Sequence, residues 1–423
     1  MAHFWSAKII GIATITFALA SCGDKKPKLS ALTHDAYVWQ RLWTETVVES
    51  ASNPPDEIRA LMPLTAEIRF TGKGSETSVE RVHPDYAATA RLSGVVIRID
   101  DSGAKTGWNL EACQAVETVC RDVLAEAPDV GELQIDYDCP VSKLSDYARL
   151  LNHLKSTVAA KPIELTFTAL PAWLGDDFAA VAREADAFVL QVHSLFPPKP
   201  DKPIRLMDPA AAVRAADSAA KAGKPFRIAL PTYSYYVAFD EDDRIVDVIS
   251  EDLPSRWEPK IRYRLGWASP DDCADLITGW SKSRPALMTG IIWYRLPTPD
   301  DRMNWPESTL QIVMSGRQPE SKLVGSLETS AEGYANVLLK NVGEQPAPLP
   351  DSFRVRTDSP IVAGDGGGLF AFSMSEDGSE AMFRREETNV DPLPLPVGKS
   401  ATLGWIRMKD TRANARILID AHD

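Results

Sequence analysis

The sequence predicts an α/β chain: a (β/α)8 barrel of the TIM type followed by a small all-β sandwich. Three observations carry the prediction. Eight short apolar runs alternate with helix-periodic segments from about residue 34 to residue 317. Several runs are almost wholly apolar, as Gly94-Val95-Val96-Ile97-Arg98-Ile99 is, the texture of strands buried on both faces. After Ser315-Gly316-Arg317-Gln318-Pro319 the helical pattern stops, and only short strand-like runs separated by turn residues remain.

The barrel runs lie at 36–41, 64–70, 94–100, 132–137, 163–169, 187–193, 226–233 and 289–295. Eight βα units in about 280 residues fit a closed barrel. The alternative is an open doubly wound sheet, which usually has fewer strands, and no Gly-rich phosphate fingerprint follows any run. Between the runs, residues 142–158 put Leu144, Tyr147, Leu150, Leu151 and Leu154 on one helical face. Asp208-Pro209 opens an Ala-rich helix to Ala222, and Gly223 closes it. Ser269-Pro270-Asp271-Asp272 supplies an N-cap, a proline at the first helical position and acids in the first turn. Pro306 begins a closing helix that ends near Met314. Beyond it, runs at 323–328, 335–340, 353–357, 369–373, 401–408 and 415–420 read as a β-sandwich of about 100 residues. The Gly366-Gly367-Gly368 triplet reads as a turn, since neither a helix nor a Lys-Ser/Thr pair follows it. The expected organisation is 1–21 signal peptide, 22–33 linker, 34–317 barrel and 318–423 sandwich.

The 423 residues are 44% hydrophobic and 25% charged, ordinary values for a folded chain. With Lys+Arg 46 against Asp+Glu 59 the net charge is −13. That balance argues against nucleic acid as a partner, and against binding anionic lipid by charge, since both need clustered cations. A mean hydropathy of −0.18 and a single long apolar run exclude a polytopic membrane protein. No CxxC pair occurs and the six histidines are scattered, so neither a metal nor any other cofactor is expected. Cys113, Cys120, Cys139 and Cys273 allow three full disulfide pairings or four buried free thiols. Cys113 and Cys120 are seven apart on one expected helix, roughly 10 Å, too far to bridge each other.

The N-terminal segment sets the expected compartment. Residues 9–19 form an apolar run too short to span about 30 Å of hydrocarbon but suited to a signal peptide. It ends in Leu19-Ala20-Ser21-Cys22, which resembles the bacterial lipobox; the other reading is a secretory signal with a chance cysteine. The resemblance implies lipidation at Cys22, attachment to a membrane and, with Gly23 following, an outer-membrane lipoprotein facing the periplasm or the surface of a Gram-negative cell.

Functional residues of such a barrel sit at strand C-termini. On the fourth strand, alternation puts Gln134, Asp136 and Asp138 on one face, taken as the inner one. Polar residues there are costly unless hydrogen-bonded or at work. Two carboxylates so close repel, and a neutral acid beside an ionised one is what glycoside chemistry requires. The other reading is a structural hydrogen-bonded network. Candidate substrate-binding residues at the remaining strand ends are Trp39, Arg41, Arg98, Asp100, Gln191, His193, Tyr233, Trp293 and Arg295, with Gln134 on the fourth. Aromatic rings suit the C–H faces of sugars. Trp39 and Trp293 could equally be packing residues. Arg41 and Arg98 could equally neutralise Asp136 and Asp100.

The segments Asp35-Ala36-Tyr37-Val38-Trp39-Gln40-Arg41, Leu133-Gln134-Ile135-Asp136-Tyr137-Asp138, Thr166-Phe167-Thr168-Ala169-Leu170-Pro171-Ala172-Trp173-Leu174 and Ile291-Ile292-Trp293-Tyr294-Arg295-Leu296-Pro297 together resemble domain of unknown function 3142. That bacterial lipoprotein family is placed among glycosidase-like barrels. Asp136-Tyr137-Asp138-Cys139-Pro140 also resembles, more distantly, the fourth-strand pattern of glycoside hydrolase family 18. The resemblance implies Asp138 as general acid, Asp136 as assisting carboxylate and Trp293 as floor of the sugar site. The sequence departs from that family in an acid one methylene shorter, and in His193-Ser194 where a Tyr-Asp pair would hold an N-acetyl group. The expected function is a lipid-anchored, glycoside hydrolase-like barrel acting on or binding a polysaccharide of the envelope or exterior. The alternative is a non-catalytic barrel that binds glycan or protein.

Overall fold

The computed structural model describes residues 31–70, 77–100, 109–159, 162–175, 177–194, 198–250, 253–330, 334–410 and 413–419. The signal segment and Cys22 lie outside them. Eight parallel strands follow in order: β1 Thr33–Val38, β2 Ile58–Phe70, β3 Gly94–Asp100, β4 Glu132–Tyr137, β5 Glu164–Ala169, β6 Ala187–Gln191, β7 Phe226–Pro231 and β8 Met288–Tyr294. Each pairs with the next, and β8 pairs back with β1, Ala36 opposite Trp293, so the sheet closes. Closure is tight: a Cβ at Gly290 would collide with Thr33, which is why glycine stands there.

Among the described residues seven helices cover the barrel: α1 Glu45–Ser52, α2 Leu110–Glu126, α3 Leu144–Val158, α4 Phe178–Arg183, α5 Pro209–Ala219, α6 Pro270–Lys282 and α7 Glu307–Met314. The expected start signals act through their side chains. Asp208 accepts from Ala211 N, and Ser269 accepts from Asp272 N. Gly223 closes the α5 segment at φ 73°, after a last 3-10 turn, in a conformation glycine adopts without strain. The five expected apolar positions of α3 are all buried.

Two features depart from strict alternation. Among the described residues no helix follows β2: the strand Thr77–Arg81 runs back antiparallel along its end. Between β7 and α6 the chain makes an excursion, where Ser234–Phe239, Ile245–Ile249 and Arg262–Trp267 join Ile204–Arg205 in a four-stranded sheet.

The floor of the barrel is ionic. Asp35, fully buried, accepts two hydrogen bonds from Arg59 at 3.0 and 2.7 Å and one from Arg227 at 3.0 Å. Arg227 also pairs with Glu132, which accepts from Thr166 Oγ1 at 2.6 Å. Every charge there has a partner, as burial demands.

Eight antiparallel strands follow α7: β9 Leu323–Thr329, β10 Tyr334–Asn341, β11 Ser352–Thr357, β12 Ile361–Asp365, β13 Phe370–Met374, β14 Glu380–Arg385, β15 Ser400–Met408 and β16 Ala415–Ile419. They form two sheets, ordered β9-β10-β15-β12 and β13-β14-β11-β16. Their shared core includes Val337, Phe353, Phe383 and Ile406, with the two phenylalanine rings stacked at 4.7 Å. The glycine triplet is the β12–β13 turn, with Gly367 and Gly368 at φ 64° and 81°. Strands β12 and β14 are additional to the six expected runs. The segment 388–393 meets the excursion sheet: Tyr236, Tyr263 and Met303 pack with Val390 and Leu393, and Arg264 pairs with Asp391 at 3.0 Å. Cys113, Cys120, Cys139 and Cys273 are all buried free thiols.

Candidate active site at the barrel mouth

Period-two alternation carries β4 inward at Gln134, Asp136 and, one step past the strand, Asp138. Gln134 lies one layer down, where its Oε1 accepts from Tyr37 Oη at 2.8 Å. Asp136 is 4% exposed and accepts from Thr168 Oγ1 at 2.6 Å and Arg98 Nη1 at 3.2 Å. Arg98 comes from the neighbouring β3. It also approaches Asp138 Oδ2 and Glu67 Oε1, each at 3.9 Å. Asp136, first of all, holds the guanidinium more firmly protonated than usual. Among the described residues Asp138 has no such close partner. Desolvation by the cleft walls, then the charge of Asp136, push its carboxyl up to about 7, with Arg98 opposing. One carboxyl is therefore anchored and its neighbour is poised to carry a proton at neutral pH.

The two carboxyls open into a cleft of about 260 Å³ whose walls include Trp39, Tyr294, Tyr233 and His193. Tyr294 meets Trp39 edge-on at 5.0 Å and Tyr233 at 5.3 Å, making one continuous aromatic wall. Tyr233 Oη hydrogen-bonds Ser194 Oγ at 2.8 Å, and burial pushes the phenol up to about 12. Gln191 also lines the cleft, its amide donating to His193 O at 3.4 Å.

Of the sequence-based candidates, the structure brings Asp136, Asp138, Trp39, Arg98, Gln191, His193 and Tyr233 together at this cleft. Five others lie elsewhere, and for four of them the partners give the physical reason. Gln134 is below, tied to Tyr37. Arg41 grips Glu67 in a two-point pair at 3.0 and 2.7 Å rather than Asp136. Trp293 is fully buried on the outer face, its Nε1 donating to His34 Nδ1 at 3.2 Å. Alternation instead turns Ile292 and Tyr294 inward, so the floor ring is Tyr294 and not Trp293. Arg295 is 3% exposed and pairs with Asp301, Nε to Oδ2 at 2.9 Å, bracing the loop after β8. Asp100 ends β3 and is half-buried outside the cleft lining. Sequence reasoning missed Thr168, Ser194 and Tyr294. The inward polar pair Thr166 and Thr168 on β5 was the available signal for the first.

No curated protein matches the chain. Among solved structures it is similar to the spore cortex-lytic enzyme SleL of Bacillus megaterium, with 12% identity, TM-score 0.48, and 69% of this chain and 75% of that one covered. The chitinase ChiA74 of Bacillus thuringiensis has 8% identity and TM-score 0.42, over 91% of this chain and all 100% of the other. A chitinase of Chromobacterium violaceum has 13% identity and TM-score 0.43, over 68% and 98%. Residues 89–299, from the turn before β3 to the loop after β8, match the family described as Domain of unknown function (DUF3142), and the chain is a member of that family.

Proposed function

We propose that this protein is a glycan-active barrel that cleaves a glycosidic bond at the mouth formed by Asp136 and Asp138. The observation that carries the reading is the unequal carboxyl pair. Asp136 is held by Thr168 and Arg98, while Asp138 stands protonated near neutrality, and both face one aromatic-walled cleft. In this reading the Asp138 O–H gives its proton to the glycosidic oxygen as the C1–O bond breaks. The Asp136 carboxylate stabilises the positive charge developing at C1. Water adds to C1, and its proton returns to Asp138. A cleft of about 260 Å³ lies just under the usual range for drug-sized ligands, about 300–1,000 Å³, so it fits one ring of a chain at a time. The proposal includes a periplasm- or surface-facing location and a diacylated Cys22. Among the described residues no helix is long and apolar enough to cross a membrane, and attachment rests on the lipid. Cys22→Ser should release the protein from the membrane fraction; unchanged fractionation would remove the anchor from the proposal.

The test of activity is a screen of the protein on an immobilised glycan panel, followed by incubation with each glycan bound. Asp138→Asn keeps shape and loses the proton. It should abolish turnover and leave binding nearly intact, and Asp136→Asn should also slow the reaction. No turnover in the wild type, with weaker binding in both variants, would mean a barrel that holds glycan without cutting it. Full activity in Asp138→Asn would remove the residue from the mechanism.

A further inference from the structure

Among the cleft side chains that the acid–base scheme leaves idle, His193 stands apart. His193 follows β6 and is 3% exposed, and neither ring nitrogen has a hydrogen-bond partner among the described residues. A buried polar group without a partner costs free energy, and buried imidazoles ordinarily rest one nitrogen on a carbonyl or carboxylate. Here the ring lies edge-on to Tyr233 at 5.8 Å and tilted over Tyr294 at 5.4 Å. The Tyr233 hydroxyl is already engaged with Ser194. The charged groups sharing the cleft are Asp136, Asp138 and Arg98, and among the described residues none of them pairs with the ring. Burial alone drives the imidazole down to about 3. The ring is therefore neutral, with one N–H to give and one bare nitrogen to receive.

We propose that His193 is the specificity-determining residue of the cleft, reading an uncharged ring hydroxyl of the bound sugar and so selecting a neutral sugar over an acidic or N-acetylated one. This rests on the glycan-active reading above. A hydroxyl can satisfy either face of a neutral imidazole, donating to the bare nitrogen or accepting from the N–H. A uronate carboxylate can only accept, and would bring a second negative charge beside Asp136, where Arg98 is already paired. An N-acetyl group in place of a hydroxyl needs room for three further heavy atoms, in a cleft of about 260 Å³ that fits one ring. A site built around a hydroxyl discriminates strongly against analogues that leave its buried polar groups unpaired.

The experiment compares the full chain with His193→Phe and His193→Gln on neutral glucan and mannan oligosaccharides, chitin oligosaccharides and polyuronate oligosaccharides. Expected are binding to a neutral series, an affinity loss of at least tenfold in the phenylalanine variant, and recovery of most of it in the glutamine variant, which keeps a donor and an acceptor. On any chain that is cleaved, the loss should fall on KM with kcat little changed. The thermal midpoint of His193→Phe should match or exceed the wild type, because two unpaired polar atoms are gone. Should that variant unfold, ring-nitrogen NMR shifts of wild-type His193 on adding the best neutral oligosaccharide answer instead: movement is expected, and none overturns the proposal. Preference for polyuronate or chitin chains, or unchanged affinity in His193→Phe, also overturns it while leaving the Asp138 mechanism standing. If no series binds, the glycan-active reading fails and this inference fails with it.

Discussion

Replacing Asp138 by Asn should stabilise the protein above neutral pH and leave its stability unchanged in acid. The carboxyl stands at about 7 in the folded chain and returns to about 3.9 in the unfolded one. A carboxyl raised by folding holds its proton more tightly in the native state. Its contribution to stability is therefore fully present below about pH 4 and is lost as pH rises through about 7. Above that the folded protein carries a carboxylate pressed against Asp136 and partly stripped of water. Asparagine has no charge at any pH, so the advantage of the variant should grow between about pH 4 and pH 8. A shift of about three pH units on a fully buried group would be worth about 4 kcal/mol. The Asp138 side chain is 39% exposed, and solvent screening reduces the figure to about 1–2 kcal/mol. With unfolding entropy near 2.1 cal/mol/K per residue over roughly 390 residues, that is a rise of about 1–2 °C in Tm. The assay is thermal and urea unfolding of both proteins at about pH 4, 6 and 8. A variant equally or less stable than the wild type at the highest pH would refute the reasoning, because the cleft would then not be raising the carboxyl.

Three further outcomes follow from the same geometry. Arg98→Met leaves buried Asp136 with Thr168 alone and should cost about 2–3 kcal/mol in chemical denaturation, toward the low end for a broken buried pair because the arginine is about a third exposed. It should also move the Asp138 limb of the pH–rate profile upward, since the cation that holds that carboxyl down is gone. Tyr294→Ala should weaken glycan binding at least tenfold in titration, whereas Trp293→Phe should leave binding unchanged and lower stability by about 1–2 kcal/mol. A chain ending at residue 317 should come out insoluble or molten by near-ultraviolet circular dichroism, because it uncovers Tyr236, Tyr263 and Met303; a soluble, cooperatively unfolding product would show that the excursion sheet stands without segment 388–393.

The barrel was legible because strands buried on both faces write themselves as unbroken apolar runs, and because Asp208, Ser269 and Gly223 punctuate helices by local chemistry. What was illegible has local causes too. The β1 run read three residues late, since Thr33, His34 and Asp35 are polar yet begin the strand, and Asp35 belongs to an ionic floor that no spacing rule announces. The helix expected after β2 is replaced by a hairpin whose returning strand, Thr77–Arg81, is largely exposed and ends in Glu80 and Arg81. β14 carries two buried side chains, Ala381 and Phe383, among charged neighbours, too few to raise a run above its surroundings. On β8 the run Ile291-Ile292-Trp293-Tyr294 is apolar on both faces, so periodicity cannot say which aromatic looks inward. The register is fixed only when β1 and β7 pair with it, and it selects Tyr294.

The two ends of the barrel make opposite use of buried charge, and the contrast is the strongest reason to place function at the mouth. At the floor, Asp35, Arg59, Arg227, Glu132 and Thr166 satisfy one another. Mutual satisfaction of that kind is what a structural network needs. At the mouth, Asp136 is held by Thr168 and Arg98. Asp138 is pushed toward its neutral form, and His193 keeps two ring nitrogens without partners among the described residues. The floor network is closed on itself and the mouth is left open, on strands of the same sheet. Unpaired groups gathered at one place are an arrangement that stability alone does not favour. They become favourable when a ligand supplies the missing partners, a proton acceptor for Asp138 and a hydroxyl for His193. The same logic gives both substitutions one shared signature: Asp138→Asn above neutral pH and His193→Phe should each make the protein no less stable and less able to do its work.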